Sequence, residues 1–310
     1  MKTRSLVSGT AALALSALLF TSCSNEDDPV PAISSQYVTI APSVSGEVIT
    51  RAGSAYGEDG DKLYLYYNTA GSTTANQFAD FRYDGTIWDL GTTKMKWSTL
   101  HEAASGNLPF YATAPVIAPT TATKVSVETD QSSTAGYKKS DLLVAYKEIA
   151  KANDATKYTA LDIDMKHVLA KLTIEVNAKA IEDAVINSVT IKDAIPDYTV
   201  AYSKSEDTPA TTTVYGSDKT EIKPLPNGTV YSAVLPEQAI KKIDGIIIVI
   251  SVNDKTFTYQ PKDAINLKQG KNTTLKLRLS GEGVALGDVT VSEWGEGDTT
   301  QGNIEEDPQP

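Results

Sequence analysis

Residues 161–176 read LDIDMKHVLAKLTIEV and hold the longest clean alternation of apolar and polar side chains in the 310-residue chain. Apolar residues occupy every second position from Leu161 to Met165, and the alternation resumes after Leu169. Successive side chains of a β-strand point to opposite faces of the sheet, so this run predicts two consecutive strands. His167 lies at the junction between them. We therefore expect a protein built from half-buried β-sheets.

Short strands of the same kind recur outward from this stretch in both directions, separated by turn residues. The dipeptides Asp84-Gly85, Asn227-Gly228 and Asn253-Asp254 predict hairpin turns. Strands are predicted, among others, at 37–42, 62–68, 94–97, 141–149, 246–252 and 286–294, and one short helix is the alternative for 141–149. Roughly fifteen short strands with few helix candidates predict an all-β chain of two antiparallel sandwiches.

The domain boundary is predicted near residues 153–166. The predicted ranges are 52–160 for an N-terminal sandwich, 161–298 for a C-terminal sandwich and 299–310 for a polar tail. Tyrosines outnumber phenylalanines fifteen to five, a bias typical of sheets with partly exposed faces.

The N-terminus has the features of a signal peptide over residues 1–22. Lys2 and Arg4 precede an apolar run, 6–20, that is short for a membrane span. Small residues then lead to Cys23, the only cysteine of the chain. This arrangement resembles a bacterial lipobox, in which the chain is cut between Ser22 and Cys23 and the cysteine receives diacylglycerol and palmitate-type acyl chains. The alternative is an ordinary secretory peptide that is cut nearby.

Lipidation would tether the exported chain to a membrane without a spanning helix, and it would use the only thiol. Removing residues 1–22 takes away two bases and no acid, so the formal charge falls from −11 to −13. This charge argues against binding to nucleic acid or adsorption to anionic lipid. The acidic run 24–28 resembles the surface-export tract of Bacteroidetes lipoproteins, and a solvated linker is the alternative.

The sequence offers little for catalysis or metal binding, so we expect neither an enzyme nor a cofactor or metal site. Its only histidines, His101 and His167, are far apart, and there is no zinc-type spacing or Gly-x-Ser-x-Gly motif. The acidic run 58–61 suits a turn better than a calcium loop. Trp88, Trp97 and Trp294 are candidates for a sugar-stacking face, with core packing as the alternative.

Several segments together resemble the fimbrillin family, the FimA/Mfa-like subunits of type V pili of Bacteroidetes. They comprise the lipobox with its acidic run, ITRA at 49–52, GDKLYLY at 60–66, SDLLVA at 140–145, HVLAKL at 167–172, GKNTT at 270–274 and VSEW at 291–294. The resemblance implies two transthyretin-like sandwich domains and an outer-membrane lipoprotein precursor. It also implies cleavage after an arginine outside the cell, and Arg51, followed by Ala52, is the matching position.

A cut after Arg51 would release residues 23–51 together with their predicted strand, Tyr37, Val38, Thr39 and Ile40. Removing a strand uncovers an apolar groove and unpaired backbone groups, which a strand from another subunit can fill. The candidate donor is the strand 286–294, which begins at Leu286 and has Val289 and Val291 as its apolar anchors and Trp294 at the rim. The alternative is that both strands simply complete their own domains.

The partners expected on this reading are other fimbrial subunits, the outer membrane and a surface ligand for adhesion. Two further functions share the same sequence features. One is a surface glycan-binding lipoprotein, and the other is a tip or anchor subunit of the same pilus. A glycan-binding protein needs neither a removable leader strand nor a donor strand, which distinguishes it from a pilus subunit.

Overall fold

The computed structural model describes residues 37–44, 47–48, 60–67, 77–115 and 123–294, and all of these belong to one unit, Ser34–Pro310. The predicted signal peptide, Cys23, Arg51 and Ala52 lie outside the described residues. Strands dominate the part that is described, which confirms the all-β prediction.

The strands are short and follow one another at close intervals. The first described half contains β1 (Ile40–Val44), β2 (Glu47–Val48), β3 (Lys62–Tyr67), β4 (Gln77–Tyr83), β5 (Trp88–Leu90), β6 (Leu108–Ala114), β7 (Thr123–Ser126), β8 (Leu143–Ile149) and β9 (Leu161–His167). The second contains β10 (Ala170–Asn177), β11 (Ile186–Ala194), β12 (Asp197–Tyr202), β13 (Ala210–Val214), β14 (Thr220–Ile222), β15 (Leu225–Asn227), β16 (Val230–Leu235), β17 (Ala239–Ile240), β18 (Ile247–Val252), β19 (Lys255–Tyr259), β20 (Ile265–Asn266), β21 (Lys271–Ser280) and β22 (Gly283–Glu293). The described helices are α1 (Trp97–Ala103), α2 (Thr134–Ser140) and a single 3₁₀ turn, Ala155–Lys157.

An eight-stranded sheet in the order β2-β1-β9-β8-β6-β3-β4-β5 surrounds the first hydrophobic core. Alternate residues of its strands enter this core, as Leu63, Leu65 and Tyr67 do on β3. Helix α1 contributes Trp97 and Leu100, which lie on one helix face because they are three residues apart.

A second core is shared by two sheets, with orders β15-β16-β10-β21-β22 and β14-β11-β18-β19. Ile174 of β10 and Leu275 of β21 enter it from the first sheet, and Ile191 of β11 and Ile250 of β18 enter it from the second. Strand β18 lies inside its sheet, between β11 and β19, and every second side chain of β18 is only half-buried.

The segment between β6 and β8 connects the two halves. Strand β7 pairs with β12, and Tyr137 of α2 packs in the second core. Along β9 the last side chain in the first core is Met165, and the next buried side chain of the chain, Val168, belongs to the second core. The domain ranges 52–160 and 161–298 stay predictions.

Strand pairing is antiparallel along most of the described chain, but β1 runs parallel to β9 and β10 runs parallel to β21. The sequence analysis predicted antiparallel sandwiches throughout. A parallel pair needs a long crossover connection, and many residues separate the partners in both pairs. Alternation along a strand predicts its faces, whereas it says nothing about the direction of a distant partner.

The local predictions have mixed outcomes. All three predicted hairpins form, between β4 and β5, β15 and β16, and β18 and β19. The strand predicted at 94–97 is wrong, because helix α1 begins at Trp97. Met95, before the helix, and Trp97, its first residue, are both buried in the first core. Two buried residues with one residue between them resemble the alternation of a strand, although they belong to a helix start.

Candidate functional site

The first described residues run along β9 at one side of the eight-stranded sheet. Val38 donates its N–H to the Met95 carbonyl at 3.0 Å, and Leu161 donates to the Thr39 carbonyl at 2.8 Å. From Ile40 the segment continues as β1, parallel to β9. The predicted strand 37–42 thus begins later than expected and extends to Val44, while Tyr37 makes a single bridge to Lys96.

Side chains of this N-terminal segment alternate between the core and solvent. Val38 is fully buried, Ile40, Pro42 and Val44 are also buried, and Ala41 between them is exposed. Val44 lies beyond the predicted strand 37–42, although the alternation that begins at Val38 continues to it. The segment therefore fills a slot in the first core with apolar side chains at every second position.

Few described contacts cover the outer edge of β1. Strand β2 pairs only with Ser43 and Val44, so the edge beside Pro42 has no ladder partner among the described strands. A proline is tolerated there because it has no N–H to pair. If β1 left, the backbone of β9 would lose its partner along Leu161–Met165 and become an open edge.

The C-terminal strand β22 lies at the edge of the five-stranded sheet. It pairs with β21 in an antiparallel ladder from Lys271↔Glu293 to Ser280↔Gly283, with a bulge beside Leu286. The strand predicted at 286–294 is present and begins a few residues earlier than predicted. In this chain the candidate donor strand therefore completes its own sheet.

Most side chains of β22 are exposed. Leu286 is 42% and Val291 57% exposed, while Val289 is half-buried and packs against the second core. Backbone hydrogen bonds to β21 consequently account for much of its attachment. Such a strand exposes little additional apolar surface when it leaves its own sheet.

Trp294 at the end of β22 is an exception, since it is only 6% exposed. Its ring stacks on His167, with centroids 3.9 Å apart and planes 7° apart, and the backbone N–H of Trp294 donates to the Gly270 carbonyl at 3.0 Å. His167 Nδ1 lies 2.8 Å from Asp141 Oδ1. The sequence analysis placed Trp294 at the rim of a contact between subunits. That placement stays a prediction, but in its own chain the residue is buried.

The structure does not bring the two histidines together. His101 Nδ1 lies 3.1 Å from the Tyr158 hydroxyl, whereas His167 contacts Asp141 and Trp294. Within the described ranges, no group of three His, Cys, Asp or Glu side chains is arranged to hold a metal ion. Gly60 forms a turn with positive φ, and the neighbouring Asp61 pairs with Lys138 at 3.2 Å.

The candidate sugar-stacking residues do not form one open face. Trp97 is fully buried and stacks on Tyr158 at 4.5 Å, and Trp88 is half-buried against Tyr83. The sequence analysis missed a row of rings across the eight-stranded sheet, formed by Tyr66, Tyr111 and Tyr146. Each ring of the row is about as buried as Trp294. The rings therefore pack against one another and do not present an open surface on which a sugar could stack.

Two features remain as the candidate functional site, the segment 37–44 and the strand β22. Strand β1 lies next to the short edge strand β2, β22 is itself an edge strand, and the two belong to different sheets. No helix among the described residues is long and apolar enough to cross a membrane.

Comparisons with known proteins agree with this architecture. A family model described as fimbrillin-like matches residues 50–294. A comparison with curated proteins gives no match. The solved structure of a candidate cell adhesion protein from Bacteroides uniformis is similar at a TM-score of 0.61 and 17% identity, covering 83% of this chain and 99% of that one. A candidate cell adhesion protein from Bacteroides ovatus is similar at a TM-score of 0.59 and 15% identity, covering 84% and 98%. At these identities the likeness shows a shared fold.

Proposed function

Because the chain belongs to the fimbrillin-like family, we propose that it is a structural subunit of a cell-surface fimbria, a type V pilus that serves adhesion. It is not an enzyme on this proposal. The chain is exported as a lipoprotein acylated at Cys23, and it is matured by a cut between Arg51 and Ala52. The mature subunits then join other fimbrial subunits by exchange of strands.

The burial of apolar side chains of residues 37–44 in the first core is the observation that carries this proposal. These residues precede Arg51, and they place Val38, Ile40 and Val44 in the first core. Cleavage would separate them from the body, leaving an apolar slot beside the open edge of β9. An apolar slot with an unpaired strand edge is what an added strand satisfies in β-augmentation.

Strand β22 suits the role of the donor. It lies at a sheet edge, and Leu286 and Val291 are already exposed. Val289 and Val291 share one parity, so both would point into the slot of the next subunit when Thr290 points out. In the precursor Ala41 lies opposite Asp162, and its side chain is exposed. The residue of a donor strand that takes the place of Ala41 must therefore also point to solvent.

The lipid anchor explains where assembly takes place. Acyl chains on Cys23 would hold the precursor at the outer membrane until Arg51 is cut, and the cut removes the anchor together with β1. Release and activation would then follow from one cleavage. The mature form lies in fimbriae on the cell surface.

Engineered disulfides test the exchange, because residues 52–310 contain no cysteine. Asp162→Cys is combined in turn with Asp288→Cys, Thr290→Cys and Ser292→Cys. In the donated strand these three side chains would alternate with Val289 and Val291 and would point away from the slot. Cut subunits that have assembled under oxidising conditions should give a ladder of covalent multimers for at least one pair, since a disulfide needs Cα atoms within about 7 Å.

The matched controls pair Asp162→Cys with Val289→Cys or Val291→Cys, which have the inward parity. These pairs should give no ladder. Fibres of normal length without covalent multimers from any outward pair would contradict donation of β22 to β9.

A further inference from the structure

The five-stranded sheet places a lysine amine beside an asparagine amide. Lys171 on β10 lies directly opposite Asn272 on β21, and strands in a sheet are about 4.8 Å apart. The Thr173 hydroxyl donates to Asn272 Oδ1 at 2.9 Å. Thr173 and Lys171 are two residues apart on one strand and so share a face, which puts the amine and the amide on the same side of the sheet.

All members of this group are buried. Lys171 is 9% and Asn272 7% exposed, and Thr173 and Asp141 are more deeply buried still. A lysine is rarely buried to this extent. Burial lowers the pKa of the Lys171 amine to about 8, while the Asp141 carboxylate acts in the opposite direction. A lowered pKa increases the share of neutral amine, which is the nucleophilic form.

Asp141 is held in place by a histidine. It precedes β8, and His167 Nδ1 lies 2.8 Å from its Oδ1. The Trp294 ring covers His167 by stacking on it. A buried amine and a buried amide that accepts from Thr173 thus lie on one face of the sheet, and the buried Asp141 carboxylate is close enough to the amine to act on its pKa.

We propose that Lys171 and Asn272 become joined by an intramolecular isopeptide bond, with Asp141 carrying the proton between them. This site goes beyond the assembly role proposed above and does not depend on it.

The bond forms without an oxidant or cofactor. Neutral Lys171 Nζ attacks Asn272 Cγ, and the Thr173 hydroxyl stabilises the negative charge that develops on Oδ1. Asp141 accepts a proton from Nζ and delivers it to Nδ2. The Cγ–Nδ2 bond then breaks and ammonia leaves, so one amide replaces another. Fixed neighbouring positions in a folded sheet favour such a reaction.

The bond would join β10 to β21 covalently. Both strands contribute side chains to the second core, and β21 also pairs with β22. The mature region has no cysteine and hence no disulfide. An isopeptide bond would give it a covalent restraint that resists reduction and pulling. It would also keep β21 in place as a support when β22 leaves.

Tryptic peptide mapping of the full purified chain tests the proposal whatever the processing of its N-terminus. The linked protein should give one branched peptide that joins 167–179 to 272–276, lighter than the sum of the two by one ammonia. Trypsin should not cut after Lys171. Recovery of a linear peptide that ends at Lys171, together with free 272–276, would overturn the proposal.

Two variants test the roles of the residues. Lys171→Arg keeps the charge but should lose the branched peptide, and Asp141→Asn should lose it or form it at least tenfold more slowly after folding. Circular dichroism checks that each variant is folded. A branched peptide that forms at the parental rate in folded Asp141→Asn would remove Asp141 from the mechanism. If neither variant folds, the peptide map of the parent alone decides the proposal.

Discussion

At the scale of single residues, Trp294 is the side chain that fixes the end of β22. It is nearly buried against His167, whereas Val291 on the same strand is 57% exposed. We predict that Trp294→Ala lowers the free energy of unfolding by about 3 kcal/mol, because it leaves a cavity against the His167 ring. The matched control Val291→Ala should change it by less than about 0.5 kcal/mol. Urea denaturation of both variants measures this, and equal effects would mean that Trp294 does not anchor the strand.

Lys171 gives a second prediction at this scale, through the pH dependence of stability. A buried amine that is not cross-linked, with a pKa of about 8, binds fewer protons when folded than when unfolded, where its pKa is about 10.4. Folded stability would therefore rise as the pH goes from about 8 to about 10. An isopeptide nitrogen does not titrate in this range, so we expect no such rise from Lys171.

The measurement is the difference in free energy of unfolding between the parent and Lys171→Met across this pH range. We expect a constant difference, since neither chain then has a titrating group at this position. A difference that grows in favour of the parent between about pH 8 and pH 10 would show that the Lys171 amine is not cross-linked.

At the scale of elements, β1 and the residues before it belong to the segment that cleavage after Arg51 would release. We predict that Val38→Asp makes the uncut chain assemble without proteolysis, because an unpaired buried carboxylate costs several kcal/mol and drives the segment out of its slot. Ala41→Asp is the matched control, since Ala41 is exposed on the same segment. Electron microscopy and size-exclusion chromatography distinguish the two. An uncut Val38→Asp chain that stays monomeric would contradict the prediction.

Strand β22 gives the complementary prediction. Val291→Asp should leave the stability of the monomer within about 0.5 kcal/mol of the parent, because Val291 is exposed there. It should abolish fibre formation by the cut protein, since the carboxylate would enter the apolar slot of the next subunit unpaired. Thr290→Asp has the outward parity and should preserve fibres. Normal fibres from Val291→Asp would exclude this residue as a contact.

Alternation predicted the elements well and their partners poorly. The run 161–176 divides into β9 and β10 as its pattern indicates, and the dipeptides with glycine or asparagine form their hairpins. The pairing of β1 with β9 was not predictable, because more than a hundred residues separate Ile40 from Leu161. The pairs Trp294–His167 and Lys171–Asn272 were missed for the same reason. Helix α1 was missed since its two buried residues are too few to show a helical period.

At the scale of the whole molecule, the chain keeps its two candidate exchange elements on separate sheets. The segment 37–44 completes the first core, and β22 borders the second. If cleavage opens the slot and β22 is the donor, as we propose, a strand passed from one subunit to the next fills the open edge of each following subunit, and a chain of subunits grows.

The most direct measurement is N-terminal sequencing of subunits taken from fibres shed by cells that express the parent, alongside cells that express Arg51→Ala. Our account predicts that subunits in parental fibres begin at Ala52 and that the Arg51→Ala chain stays on the cell as an uncut precursor without fibres. Fibres of normal length whose subunits still carry Tyr37 to Ile40 would contradict it.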